Sequence, residues 1–441
     1  ATVDKGIKEA MKSDGRPTVI VGKTVIGFGS PNKAGKHSCH GEPLGDDEVA
    51  AVKKTLGFEG CPAFTVSDEL KKAISARRAE LVKSAVDWDK KFQEHLEKNP
   101  KKAEMISTLL NKGIPENITE ELLKAAPKDK ADATRSSGGI VLNRAAELVP
   151  ALMGGSADLA PSTKTLLKCA TDFSVSDRAG RNMHFGVREL GMSLLANGMA
   201  LYGAAIPYAA TFLVFSDYMK PGIRLAAVQG LHVIYVFTHD SFYVGEDGPT
   251  HQPIDQFAML RSIPGMTVIR PGEANEVAHA WATALRLKGP VALFLTRQNL
   301  DPLPSELAAK IKMDKGAYVI TDDAGFDTIL IASGSELNLA IKSAEILRKE
   351  GRKVRVVSMP SQELFLKQDK SYQEQILPSS CKRRISIEAA TSYGWDRFTG
   401  LDGLCIGIDH FGLSAPYKVL ADKFGFTPEK VVARIKNRFS I

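Results

Sequence analysis

The segment His232-Val-Ile-Tyr-Val-Phe237 runs directly into Thr238-His-Asp-Ser-Phe-Tyr-Val-Gly-Glu-Asp-Gly-Pro-Thr-His-Gln-Pro253, and this junction decides the architecture. From Val233 to Phe237 every residue is apolar or aromatic, without alternation. A strand of that kind is buried on both faces, as in a parallel sheet covered by helices on each side. The polar, glycine-rich stretch then lies at the strand's carboxyl end, where open α/β sheets bind ligands.

The same rhythm extends outward. Upstream, the pattern predicts helices over 139–148, 187–202 and 214–229 and a strand over 206–211; downstream, strands over 266–269 and 291–295 flank a helix over 274–287. After a linker at 301–315, strands follow over 328–333, 353–358, 384–388 and 404–408, with a helix over 335–350. Thr427-Pro-Glu opens the last helix with proline in its first turn. Towards the start, 18–26 reads as a buried strand, and 1–11 and 46–56 as helices. Asp46, Asp47 and Glu48 crowd the first turn of the second of these, where the helix dipole favours acids. Residues 64–128 are charged, with helical periodicity and no strand signal, and read as a helical connector. The predicted fold class is α/β, with tandem doubly wound domains of mainly parallel sheets and a C-terminal α/β domain. Its parts are 1–63, the connector 64–128, 129–315 and 316–441.

Composition agrees. The 441 residues are 44% hydrophobic and 25% charged, which excludes collagen, low-complexity disorder and a coiled-coil rod. No stretch reaches the roughly 20 apolar residues of a membrane span. The net charge of +7 is dispersed; the lysine-rich stretch 83–112 reads as a solvated helical face rather than a nucleic-acid surface, and a modest positive field suits small anionic substrates. The five cysteines Cys39, Cys61, Cys169, Cys381 and Cys405 are widely spaced and odd in number, which fits a reducing cytoplasm. The sequence opens Ala-Thr-Val-Asp-Lys, with neither methionine nor signal peptide, inside an α/β pattern.

The loop 238–253 carries His239, Asp247 and His251. A solvated loop and a zinc site are the alternatives, but H-E-x-x-H and paired C-x-x-C are absent, so a hydrogen-bonding site fits best. In Lys36-His-Ser-Cys-His-Gly41, the neighbours His37, Cys39 and His40 cannot easily close a tetrahedral metal site. A phosphate-contacting or proton-shuttling histidine stands there against a surface one. Glu189, at the entrance of the apolar helix 187–202, reads either as a dipole-stabilising acid or as a carboxylate desolvated by a helix buried nearly all round, in need of a partner. Phe212, Phe215 and Tyr218 recur at spacing three, as one helical face would require, and such a stripe is more often core than cofactor wall. Arg135 and Arg297, at a helix start and a strand end, suit either a phosphate clamp or surface ion pairs. Ser333-Gly-Ser-Glu336 reads as a helix cap, and no P-loop or Rossmann fingerprint is present.

These elements, in this order, resemble the transketolase family. The resemblance rests on Thr24-Val-Ile-Gly-Phe-Gly-Ser-Pro-Asn-Lys-Ala-Gly35, Gly154-Gly-Ser-Ala-Asp-Leu-Ala-Pro-Ser162, Gly186-Val-Arg-Glu189, Thr211-Phe-Leu-Val-Phe215, His239-Asp-Ser241, Gly245-Glu-Asp-Gly-Pro-Thr-His-Gln-Pro253, Arg297-Gln-Asn-Leu300 and Phe411-Gly-Leu-Ser-Ala-Pro416. It implies the thiamine diphosphate-binding fold and transfer of a two-carbon ketol unit from a ketose phosphate to an aldose phosphate. The implied cofactors are thiamine diphosphate and Mg2+. Glu189 would hydrogen-bond the aminopyrimidine ring, Phe212, Phe215 and Tyr218 would wall it, and Asp158, Ile26 and His40 would belong to the cofactor pocket. Arg135, Ser162 and Arg297 would grip the substrate phosphate beside His251. His239 and Asp247 would contact sugar hydroxyls, and Glu189, His40 and His239 would carry proton chemistry. The implied partners are sugar phosphates and a second copy of the chain, with the cofactor at the subunit interface, and neither nucleic acid nor membrane. The implied location is the cytoplasm, with an organelle open.

One departure matters. The family's Gly-Asp-Gly thiamine signature is absent, and the nearest text, Gly245-Glu-Asp-Gly248, belongs to a different domain. The parts then read as the tail of the diphosphate domain (1–63), the connector, the pyrimidine domain (129–315) and the C-terminal domain. The metal ligands are expected to lie in an absent N-terminal part, and the isolated chain is expected to be inactive or very weak. A non-catalytic fragment and a relative such as dihydroxyacetone synthase are the rival readings. Phe242-Tyr243 and Leu190 are lesser departures, touching the substrate channel.

Overall fold

The computed structural model describes residues 2–12 and 15–441. It separates into two compact units, Ala1–Lys98 and Asn99–Ile441.

The first unit carries helices Thr2–Ala10, Asp46–Thr55 and Asp68–Lys98. The helix expected over 1–11 is therefore seen from Thr2, and Ala1 lies outside the described residues. The strand expected over 18–26 is not formed. A strand exists only through ladder hydrogen bonds to a neighbour, and no described residue supplies them, so Val19, Ile20, Val21 and Val25 stay exposed. Ser30 and Glu48 are the unit's only buried side chains among the described residues. Glu48 accepts hydrogen bonds from Ser30 and from Asn32 N and Nδ2 (2.9 and 2.8 Å), which hold its carboxyl down to about 2. The helix Asp68–Lys98 buries none of its residues. The later part of the stretch 64–128 belongs to the second unit, where Ile118 and Leu122 have no exposed surface.

The second unit is built on two large sheets, beside a short antiparallel pairing of 132–133 with 299–300. The first holds β1 (Leu152–Ser156), β2 (Asn182–His184), β3 (Ile206–Phe212), β4 (Ile234–Thr238), β5 (Thr267–Ile269) and β6 (Val291–Leu295), all parallel in the order β2-β1-β3-β4-β6-β5. Successive residues point to opposite faces. Tyr208, Ile234, Val236, Leu293 and Leu295 pack with the helices Ile118–Ala125, Thr134–Leu148 and Ala274–Arg286. Ala209, Tyr235, Phe237 and Phe294 pack with Glu189–Tyr202 and Ser216–Gln229 on the other side. The sequence pattern passes over β1 and β2 because β1 carries Gly154 and Gly155 in place of branched residues. A Cβ on Gly154 would stand 2.0 Å from the Tyr208 carbonyl oxygen and one on Gly155 1.7 Å from that of Met183, so only glycine admits the neighbouring strands.

The second sheet holds β7 (Tyr318–Thr321), β8 (Thr328–Ala332), β9 (Val354–Ser358), β10 (Arg384–Ile387) and β11 (Leu404–Ile406) in the order β11-β10-β8-β9-β7. It is parallel except for β7, an antiparallel edge strand that the sequence reading leaves unassigned. Helices Glu336–Lys349 and Pro428–Phe439 cover one face, and their apolar residues Leu337, Ala340, Val431 and Ile435 join the same core as Val141 and Leu293 of the first sheet.

A buried charge network crosses the junction. Arg270, just past β5, donates from Nε to Asp240 at 2.8 Å and from Nη1 to the Ser333 carbonyl at 2.9 Å and to Glu336. Arg261 grips Glu388 bidentately at 2.7 and 2.8 Å, and Glu388 also accepts from Ser333 Oγ and Trp395 Nε1, so its carboxyl is driven down to about 2. Removing one partner of such a pair leaves a buried charge uncompensated, at a cost of about 3–5 kcal/mol. Arg270→Met is expected to lose stability of about that size in urea unfolding, with both sheets melting earlier; an unchanged midpoint would show that the network is dispensable.

Candidate functional site

β3, β4 and β6 end side by side: Phe212 pairs with Thr238 and Thr238 with Leu295 in the ladder. The residues that follow each strand therefore emerge at one edge of the sheet. Thr296 is interlocked with Thr134, each hydroxyl accepting from the other residue's amide (3.0 and 2.7 Å), and Arg135 N donates to the Thr296 carbonyl. This lock brings Arg135 to the same edge as Arg297.

His239 is the centre of the group. It is buried, has φ of 58°, and stacks on Phe212 with ring centroids 3.7 Å apart. Arg135 Nη1 donates to the Ser162 carbonyl at 2.8 Å and lies 3.4 Å from His239 Nε2. A guanidinium has no acceptor, so Nε2 is the acceptor and the proton sits on Nδ1, facing Thr238 Oγ1 at 2.9 Å. Burial, with Arg135, Arg297 and His251 nearby, pushes the imidazole down to about 3. Arg135 is itself pushed below the usual guanidinium range by burial and by Arg297, and its Nε is buried with no partner among the described residues. The cluster is electropositive and holds a donor without an acceptor, as an anion site requires.

The aromatic residues do not share one helical face. Phe212 ends β3, Phe215 closes a 3-10 turn and Tyr218 lies in the helix Ser216–Gln229. The turn nevertheless puts their rings in a row: Phe212 to Phe215 is 5.8 Å and Phe215 to Tyr218 is 6.1 Å, both stacked, and His251 meets Phe215 edge-on at 5.6 Å. Ring faces aligned in this way suit a flat heterocycle.

The helix Glu189–Tyr202 corrects an expectation. It is not buried all round: Leu190, Leu194, Leu195, Leu201 and Tyr202 are exposed, because the sheet covers only one side. Glu189 is half-buried and has no hydrogen-bond or ion-pair partner among the described residues. Asp158 is exposed in the left-handed region (φ 60°), beside a 400 Å³ pocket lined by Ser156, Pro161 and His184. Asp247 is exposed, and His251 is half-buried with Nδ1 3.0 Å from Thr250 Oγ1. Ile26 and His40 lie in the first unit, both exposed. Among the described residues no three His, Cys, Asp or Glu side chains are placed to hold a metal ion. No helix among them is long and apolar enough to cross a membrane. Sequence reasoning missed Asp240, Arg270 and Gln252; the available signal was Arg270-Pro-Gly272 closing a buried strand, as Arg297 closes another.

The family description of the transketolase pyrimidine-binding domain matches residues 130–302, that of the transketolase-like C-terminal domain matches 316–427, and that of the thiamine diphosphate-binding domain matches 1–115. The chain is 45% identical to the chloroplastic transketolase of Craterostigma plantagineum, over 98% of this chain and 83% of that one. The chain belongs to the transketolase family. It is also 45% identical to a transketolase of Halalkalibacterium halodurans, over 98% of its own length and 65% of the relative's. It thus spans about two thirds of that relative. The crystal structure of the Pichia stipitis transketolase complex with sedoheptulose 7-phosphate is similar at a TM-score of 0.90 and 35% identity, covering 99% of this chain and 65% of that one. The site therefore lies in the transketolase pyrimidine-binding domain, at the carboxyl edge of its parallel sheet.

The depressed His239 sets a pH signature. Its folded pKa lies below the 6.5 of a free imidazole, so its contribution to stability is present above about 6.5 and is lost as the pH falls towards about 3. In an NMR titration its resonances are expected to stay fixed between about pH 8 and pH 5. Arg135→Ala should raise its pKa, and titration of the unmodified protein near 6.5 would contradict the burial and charge argument.

Proposed function

We propose that this chain carries the pyrimidine-binding and substrate-gripping half of a transketolase, moving a two-carbon ketol unit between sugar phosphates. The observation that carries this reading is the convergence of an aromatic row, a neutral buried His239 and the Arg135–Arg297 pair at one sheet edge. Thiamine diphosphate, when bound, supplies the nucleophilic carbon that accepts the ketol unit. The fit on this side rests on the stacked rings of Phe212, Phe215 and Tyr218 and on the unpaired, half-buried Glu189. Glu189 would donate its carboxyl proton in a hydrogen bond to the aminopyrimidine ring nitrogen, and Asp158 would line the same pocket; Ile26 and His40, on the first unit, are assigned to the diphosphate side. No described residue is assigned to Mg2+.

Arg135 and Arg297 would bind the substrate phosphate, with Ser162 and His251 beside it. His239, neutral with Nε2 as acceptor, would take a hydrogen bond from a sugar hydroxyl and accept its proton, while Asp247 would orient a second hydroxyl. The Pichia stipitis complex, with its phosphorylated sugar, supports this substrate class. The exposed apolar face of the helix Glu189–Tyr202 lines a 920 Å³ apolar groove with Met153 and Met183, which supports pairing with a second copy across the cofactor. The proposed parts remain a diphosphate-domain portion over 1–63, the connector 64–128, the pyrimidine domain 129–315 and the C-terminal domain 316–441, and the proposed location is the cytoplasm.

The test is ketol transfer from a ketose phosphate to ribose 5-phosphate, with thiamine diphosphate and Mg2+ present, by the chain alone and with a relative's diphosphate-binding part added. Transfer in either arm supports the proposal, and none in both sinks it. In the active arm, Glu189→Gln is expected to lower kcat by about 10²-fold or more with little change in KM. Arg297→Leu should raise KM for the phosphorylated acceptor by about 10-fold or more while sparing an unphosphorylated one.

A further inference from the structure

The segment from His239 to Gln252 is tied to the C-terminal domain at both ends. At the near end, Asp240 is held by Arg270, which also grips Ser333, Ser335 and Glu336. At the far end, Gln252 is 2% exposed and donates from Nε2 to the Gly245 carbonyl at 2.7 Å and the Leu413 carbonyl at 2.9 Å. Ser414 Oγ donates to the Glu246 carbonyl at 2.6 Å. Between these anchors, Phe242 packs edge-on against Phe424 and Phe426, with centroids 5.2 and 5.3 Å apart.

Asp247 and His251 sit inside this span and have little of their own to hold them. Asp247 has no side-chain hydrogen-bond partner among the described residues, and the His251 ring meets only its neighbour Thr250 and the edge of Phe215 among them. Their positions are set by the backbone between Gly245 and Gln252, and that backbone is fastened by residues 412–414. Gly412 is part of the fit: a Cβ there would stand 1.6 Å from Gln252 Oε1, so any side chain at this position has to displace the Gln252 amide. Bonds made by a buried amide have no water to replace them, so losing them frees the loop rather than merely rewetting it.

We infer that residues 411–416 of the C-terminal domain are a positioning element for the substrate, in which Gly412, Leu413 and Ser414 set the loop that presents Asp247 and His251 to the sugar phosphate. The inference rests on the sugar-phosphate reading above. Gly412, Leu413 and Ser414 touch no substrate in it; they act through the loop. Hydrogen bonds that orient a binding group matter because a displacement of about 1 Å costs roughly 10²-fold in a positioned site.

The experiment uses the full chain and two readouts, the Kd for ribose 5-phosphate by calorimetry and hydrogen exchange of residues 245–251. Gly412→Ala, whose methyl group would drive the Gln252 amide out, is expected to raise Kd by about 10-fold or more and to speed exchange in 245–251. Ser414→Ala should act in the same direction more weakly, and Ser414→Thr, which keeps the hydroxyl, should restore both readouts. If Gly412→Ala does not fold, the Ser414 pair decides. Faster exchange with unchanged Kd, or no change in either readout, overturns the inference while leaving the sugar-phosphate reading intact. Failure of the unmodified chain to bind ribose 5-phosphate both alone and with a relative's diphosphate-binding part and thiamine diphosphate added overturns that reading, and the inference with it.

Discussion

Arg270 has no exposed surface, and it meets Asp240 from the first sheet and Glu336 from the second, with Arg261 and Glu388 completing the group. Two cations and three carboxylates are thus withdrawn from water at one junction, and burial leaves Glu336 with a raised pKa despite its pairing. Such a group is tolerated only where each charge finds a partner, so each end of the network constrains the other. The backbone follows the same rule, since Arg270 N donates to the Pro360 carbonyl and Gly334 N donates to that of Arg270. The two domains are therefore registered to one another by hydrogen bonds with directions as well as by apolar contact, which has none.

This registration reaches the site. Asp240 is the residue after His239, and His239 adopts a left-handed backbone conformation that a non-glycine residue keeps only when its surroundings enforce it. The stacked Phe212 ring on one side and the Arg270-bound carboxylate next in the chain supply that enforcement. The result is an imidazole held neutral among cations, next to two guanidiniums that repel one another. Such a cluster concentrates positive potential at one edge of the sheet.

The architecture was largely legible in the sequence. Uninterrupted apolar runs such as Val233–Phe237 and Val291–Leu295 state that both faces of a strand are covered, and a parallel sheet follows from that requirement alone. The motif residues around His239, Arg135, Arg297 and Phe212 were legible too, because loops at strand carboxyl ends carry polar residues that the core would not tolerate. Less legible were β1, whose glycines erase the periodic signal, β2, which is only three residues long, and the strand expected over 18–26, whose apolar residues find no ladder among the described residues. The helix Glu189–Tyr202 misled in the other direction: its composition demands cover all round, and the sheet supplies only half of it.

What the sequence by itself determined was the alternation of the periodic strands and helices, the chemistry available at their ends and the family to which the motifs are similar. All of these are carried by local residue type and spacing. Only the tertiary structure decided that Arg135 would stand beside His239, that three aromatic residues from a strand, a turn and a helix would stack in a row, and that a loop more than 150 residues downstream would fasten the one bearing Asp247 and His251. These are contacts across sequence separations that no periodicity encodes. They follow from which strands lie side by side and from the need of every buried polar group to find a partner, and that need is settled only when the whole chain is packed.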